Sequence, residues 1–92
     1  MTPEISPELA AALQERWTDE GSLVIWTVTT GTRDFGPRYV ARPHKIGRGS
    51  ATPMAVYLVA DSLDKLRAML PPGLTRMSRD PEDQAVIVEN WI

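Results

Sequence analysis

Between Met54 and Leu74 the chain passes from an uncharged, β-rich stretch straight into an amphipathic one and stops at a double proline. Residues 54–60 read as a buried strand, because β-branched and aromatic side chains occur there without a charge. Residues 61–70 read as a short helix, with Leu63, Leu66, Met69 and Leu70 on one face. The switch falls at Asp61, whose carboxylate can accept from the Asp64 amide while Asp64 reaches back, a capping box made with carboxylates. Ser62 is the next residue able to cap. Pro71-Pro72-Gly73 ends the helix by removing two amide donors and supplying a flexible residue. A strand feeding directly into a helix restricts the chain to α/β or α+β folds. It carries no catalytic signature.

The remaining elements follow from the same signals. Ser6 is a good N-cap and Pro7 fits the first helical position, where its missing amide is not needed. Leu9, Leu13 and Trp17 recur every fourth residue, with Ala10 near the same face, so residues 7–19 should form an amphipathic helix stopped by Gly21. Residues 23–30 begin with a nearly all-apolar run and read as a central strand. Residues 38–42 read as a more polar strand near an edge, since Pro43 would break an internal ladder. Residues 44–53 read as a glycine-rich, positively charged loop and 74–83 as a second loop. Residues 85–92 form a terminal strand. The order is α-β-β-β-α-β in one domain spanning 1–92. We expect an α+β fold of two layers, with a four-stranded mixed sheet and two helices on one side. Three strands would form a meander, and a right-handed crossover would lead to a parallel fourth strand, giving the order 3-2-1-4.

Composition excludes several kinds of chemistry. With no cysteine in 92 residues, disulfides, thiol catalysis and cysteine-held zinc or iron–sulfur clusters are impossible. The amino terminus lacks the apolar core of a signal peptide, and no stretch is long enough to span a bilayer, so we expect a cytoplasmic protein with no membrane partner. Net charge is only −2, but its distribution is uneven. Arg33, Arg38, Arg42, Lys45 and Arg48 face Asp34 alone within residues 33–48, a local formal charge of +4. Residues 80–92 carry Asp80, Glu82, Asp83 and Glu89 and no basic side chain.

Each reactive residue has a simple structural explanation. Amides near Gly47 and Gly49 could cradle an anion beside Lys45 and Arg48. The segment lacks P-loop spacing, however, and leads into a strand rather than a helix. His44 is the sole histidine and has no ligand-like neighbours at metal-binding spacing. Ser50, Ser62 and Ser78 lie outside any nucleophile elbow. Asp80, Glu82 and Asp83 do not follow a calcium-loop pattern, although one of them could work with Glu89 in acid–base chemistry. We therefore assign no catalytic residue, metal ligand or cofactor. Trp17, Trp26 and Trp91 belong to the core or to its rim. The candidate interaction surface comprises Phe35, Arg38, Tyr39, Arg42, Arg48 and Trp91, because arginine and aromatic side chains dominate typical hot spots.

Trp26-Thr27-Val28, Tyr39-Val40-Ala41-Arg42, the run from Val59 to Arg67, Leu70-Pro71-Pro72-Gly73-Leu74, Arg79-Asp80-Pro81 and the run from Val86 to Trp91 resemble a group of small uncharacterised bacterial and phage-associated proteins. The resemblance spans roughly two-thirds of the chain and implies a compact α/β protein. It supplies no catalytic residue or partner to carry over. The leading functional expectation is a noncatalytic protein-interaction or regulatory domain, with self-association as a homodimer among its options. The alternatives are a weak nucleic-acid-binding module using residues 33–48, and a small phosphate-ligand binder or enzyme.

Overall fold

A computed structural model describes residues 3–77 and 85–92. The chain opens with α1 (Pro7–Asp19), whose limits are set by local chemistry. The Ser6 hydroxyl accepts from the Leu9 amide at 3.1 Å, and Pro7 occupies the first turn. At the other end Ser22 N donates to Trp17 O and Gly21 N donates to Thr18 O, both at 2.9 Å. With Gly21 at φ +81°, this pair forms a Schellman motif. The apolar stripe is rotated from the expected one. Ala10 and Trp17 are buried and Leu13 is half-buried, but Leu9 is 46% exposed. Gln14 lies on the buried side instead and accepts from the Trp26 indole N–H at 2.8 Å. A fully buried tryptophan needs that acceptor, which accounts for a polar residue facing the sheet.

Six strands follow: β1 (Leu23–Thr29), β2 (Tyr39–Gly47), β3 (Ser50–Pro53), β4 (Leu58–Ala60), β5 (Arg76–Met77) and β6 (Ile87–Trp91), with α2 (Leu63–Met69) between β4 and β5. The α+β class holds. Among the described residues the sheet has six strands rather than four, in the order β3-β2-β1-β6-β5, with β4 also paired to β2. Every pairing between these strands is antiparallel, so the sheet is not mixed. The expected crossover overlooked β5. Beyond the seven-residue α2 the chain enters β5, parallel in sense to β1, and β6 then pairs antiparallel with β5, which reverses its direction against β1.

β2 is a nine-residue interior strand that runs straight through Pro43, not an edge that stops there. The Pro43 carbonyl accepts from Met54 N at 3.0 Å, so its polar groups point away from β1. On that side β4 pairs with residues 39–41 and β3 with residues 44–47. The missing amide therefore falls at the break between the two outer strands. The single strand expected over residues 54–60 is shortened to β4 for the same reason. Residues 44–53 are not a loop but the rest of a hairpin, turning at Arg48-Gly49 with Gly49 at φ +68°.

The core lies between the helices and one side of the sheet. Val24, Trp26 and Val28 from β1 meet Ala41, Leu58, Ala60, Trp17 and Leu66 there. The N-cap of α2 is Ser62, whose hydroxyl accepts from Lys65 N at 3.2 Å, so Asp61 lies outside the helix it was expected to cap. Of the second expected loop, Arg76 and Met77 form β5, while Ser78, Arg79, Asp80, Pro81, Glu82 and Asp83 lie outside the described residues.

Candidate interaction surface

In an antiparallel sheet, directly opposed residues project to the same side. Trp26 opposes Pro43 and Trp91, placing these on the helix-covered side. Thr27 opposes Arg42 and Asn90, placing these on the other. No helix among the described residues covers that second side.

Arg42 meets two aromatic rings there. Its Cζ lies 5.7 Å from the Phe35 centroid and 5.3 Å from that of Tyr57. Arg38 joins from just before β2, with Cζ 5.5 Å from the Phe35 centroid. The rings pack edge to face with centroids 5.1 Å apart. Backbone bonds fix both. Gly36 N donates to Thr32 O at 2.8 Å and Arg38 N to Phe35 O at 3.3 Å, which folds the loop carrying Phe35. Tyr57 N donates to Pro3 O at 3.0 Å and receives no slack on its other side, where Ile5 N donates to Tyr57 O at 2.9 Å. Among the described residues, neither Arg38 nor Arg42 forms an ion pair. A guanidinium stacked on a ring keeps its in-plane N–H donors directed outward, ready for a carboxylate fork.

The other sequence-derived candidates lie elsewhere. Tyr39 is displaced by one residue from Val40 and turns toward the core. Arg48 is exposed at the β2–β3 turn, six residues from Arg42 and therefore roughly 20 Å along an extended strand. Trp91 is on the helix side, where its indole N–H donates to Glu89. Lys45 is on that side too, 3.7 Å from Glu20 and over the Trp17 ring. The positive segment is thus divided between the two sides of the sheet and both ends of β2. Tyr57 was missed as a surface residue, because it sits within an apolar run and its role depends on contacts with Pro3, Ile5 and Phe35.

Among the described residues, Glu89 and Ser62 have structural partners. Glu89 is 4% exposed, and its carboxylate accepts from Arg67 Nη2 at 2.6 Å and Nε at 3.2 Å. These hydrogen bonds hold the Arg67 guanidinium above its ordinary pKa. Glu89 therefore serves as an internal counter-ion tying α2 to β6 rather than a free acid or base. Gly47 pairs with Ser50 in the hairpin, leaving a two-residue turn in place of an open anion cradle. Ser62 is occupied as a cap. Among the described residues no three His, Asp or Glu side chains gather where they could hold a metal ion. No helix of the described residues is long and apolar enough to cross a membrane.

The described residues also line two concavities. A cleft of about 500 Å³ runs between α1 and the Pro71-Pro72-Gly73-Leu74 segment. A shallow groove of about 350 Å³ lies on the uncovered side of the sheet, lined by apolar side chains together with Thr27, His44 and Asn90. There the Thr27 hydroxyl donates to Asn90 Oδ1 at 2.7 Å, while His44 Nδ1 is buried without a hydrogen-bond partner among the described residues. Compared with known families, curated proteins and solved structures, the chain matches none of them.

Proposed function

We propose that this chain is a noncatalytic protein-interaction domain that receives an acidic segment of a partner protein on Arg38 and Arg42. The observation that carries the reading is the convergence of both guanidiniums on the Phe35 ring, with no ion pair to either among the described residues. Cation–π contact restrains the two long side chains, so less rotamer freedom is lost when a ligand arrives. Phe35 and Tyr57 supply an aromatic base beneath the charges, the combination common in protein hot spots. Two adjacent guanidiniums, Arg38 exposed and Arg42 half-buried, suit a segment bearing two carboxylates. A nucleic-acid strand would require a longer positive track, and Lys45 and Arg48 do not extend this one.

The test is fluorescence anisotropy with a labelled glutamate-rich peptide and, in parallel, labelled single-stranded DNA. The wild-type chain should bind the peptide, and the Arg38→Glu/Arg42→Glu double variant should weaken that binding at least about tenfold, a loss of roughly 1.4 kcal/mol. Circular dichroism should show the variant to be folded. Equal peptide binding by the folded variant would refute the reading. Preferential DNA binding that falls steeply with salt would replace it with the nucleic-acid alternative.

A further inference from the structure

We propose that the groove beside Arg42 seats a tyrosine of the partner segment, so that the segment presents two carboxylates and a tyrosine on one edge of an extended chain. The inference rests on the reading of Arg38 and Arg42 as the acidic-segment site and adds what lies next to them. The strand register makes the two features continuous. Arg42 opposes Thr27, Thr27 opposes Asn90, and Asn90 opposes Met77, a single row across the sheet. Thr27, Asn90 and Met77 line the groove, so Arg42 stands at its border. The next row on this side pairs Ile25 with His44, two residues and roughly 7 Å along the strands. An extended partner repeats over the same two residues. A carboxylate on Arg42 therefore carries the side chain two residues away over the groove. A second carboxylate, two residues in the other direction, reaches Arg38, which shares the Phe35 ring with Arg42.

The groove lining selects the kind of side chain. Ile25, Ile46, Met77 and Ile87 bound a space of about 350 Å³, at the small end of ligand sites and suited to one ring. No Asp, Glu, Lys or Arg lines it, so a third carboxylate would enter unpaired. Polar groups are present nonetheless: Thr27 holds Asn90 at 2.7 Å, and His44 Nδ1 is buried with no hydrogen-bond partner among the described residues. A half-turn of the imidazole about χ2 breaks no hydrogen bond at Nδ1 and turns that nitrogen toward an occupant. Phenylalanine would leave it unpaired, and an indole can only donate to it. A tyrosine hydroxyl donates and accepts, so it pairs with either neutral tautomer of His44. Its ring supplies the apolar area, in a residue type enriched among hot spots.

The test is fluorescence anisotropy of the full chain with labelled Glu-Ser-Glu-Ser-Tyr-Ser-Glu-Ser-Glu and its forms with phenylalanine or alanine at the centre. The peptides have equal charge, and their order is the same from either end, so both chain directions present the motif. The wild-type chain should bind the tyrosine peptide at least about tenfold more tightly than the alanine peptide. It should prefer tyrosine to phenylalanine roughly fivefold, the usual scale of one hydrogen bond. His44→Phe keeps a ring in place and removes its nitrogens, so the tyrosine and phenylalanine peptides should then bind alike. Ala51→Trp, on the exposed β3 opposite Ile46, fills the groove and should bring all three peptides to the alanine level. If circular dichroism shows that Ala51→Trp does not fold, Met77→Ser at an exposed position should likewise reduce the preference for tyrosine over alanine. Equal wild-type affinity for the tyrosine and alanine peptides would overturn the proposal, as would a tyrosine preference unchanged in the folded variants. Either result leaves the acidic-segment reading standing if the alanine peptide still depends on Arg38 and Arg42. A tyrosine peptide bound equally by Arg38→Glu/Arg42→Glu would refute that reading and with it the combined motif, and no binding of any peptide would overturn both.

Discussion

Replacing Leu66 with alanine, and in a second protein replacing Leu9 with alanine, separates two leucines that helical spacing treats alike. Leu66 has no exposed surface and is the buried residue of α2, whereas Leu9 is 46% exposed on α1. Truncating Leu66 removes buried carbons worth about 0.8 kcal/mol each in transfer, or roughly 2 kcal/mol before any cavity is counted. The helix is held at its start by the Ser62 cap and across to β6 by Arg67–Glu89, so it has little freedom to collapse into the space. A cavity contribution then brings the expected cost to about 3–4 kcal/mol, within the usual range for buried leucine. For a domain of this size, that corresponds to a melting temperature lowered by roughly 12–30 °C. Urea denaturation followed by far-UV circular dichroism and tryptophan fluorescence would measure both variants. Leu9→Ala should stay within about 0.5 kcal/mol of wild type, as most exposed substitutions do. A difference between the variants below about 1 kcal/mol, with unchanged m values, would refute the assignment of Leu66 as the residue that seats α2.

The cap assignment gives a second comparison: Ser62→Ala should cost about 1 kcal/mol in the same assay, while Asp61→Ala should leave the midpoint nearly unchanged. The opposite ranking would return the cap to Asp61. Glu89→Ala removes the common acceptor of Arg67 and Trp91 and should lower the urea midpoint more than Ser62→Ala does. A smaller effect would show that the contact between α2 and β6 is peripheral.

Features of the fold that depend on neighbouring residues were legible, and those that depend on distant partners were not. Ser6-Pro7 and Gly21 bound α1 because capping is decided within a few residues. β1 was legible as a central strand from its dense apolar run, but that run did not show that Val24, Trp26 and Val28 alone face the core. Pro43 was read as a barrier because its missing amide is visible in sequence, while the gap between β3 and β4 that accommodates it is not. The direction of β6 depended on β5, a strand of two residues, too short to leave a periodic signal. In α1 the spacing identified a stripe but not its rotation, because the indole of Trp26 requires Gln14 to turn inward, which moves Leu9 toward solvent.

The interaction surface shows the same boundary between local and distant information, and it also explains which parts of the positive segment act together. Arg38 and Arg42 are four residues apart, so a two-residue period places both on one side of an extended chain. Arg48 shares that parity, yet the length of β2 carries it to the opposite end of the strand. Tyr39 has the opposite parity and faces the core. Parity and strand length together therefore reduce the four basic residues from Arg38 to Arg48 to one pair, before any ring is considered. What brings that pair into a single cluster is Phe35 on the returning loop and Tyr57 ahead of β4, with Tyr57 secured by the backbone of Pro3 and Ile5. The amino-terminal segment thus contributes to the surface through its backbone, which positions the ring on which Arg42 rests.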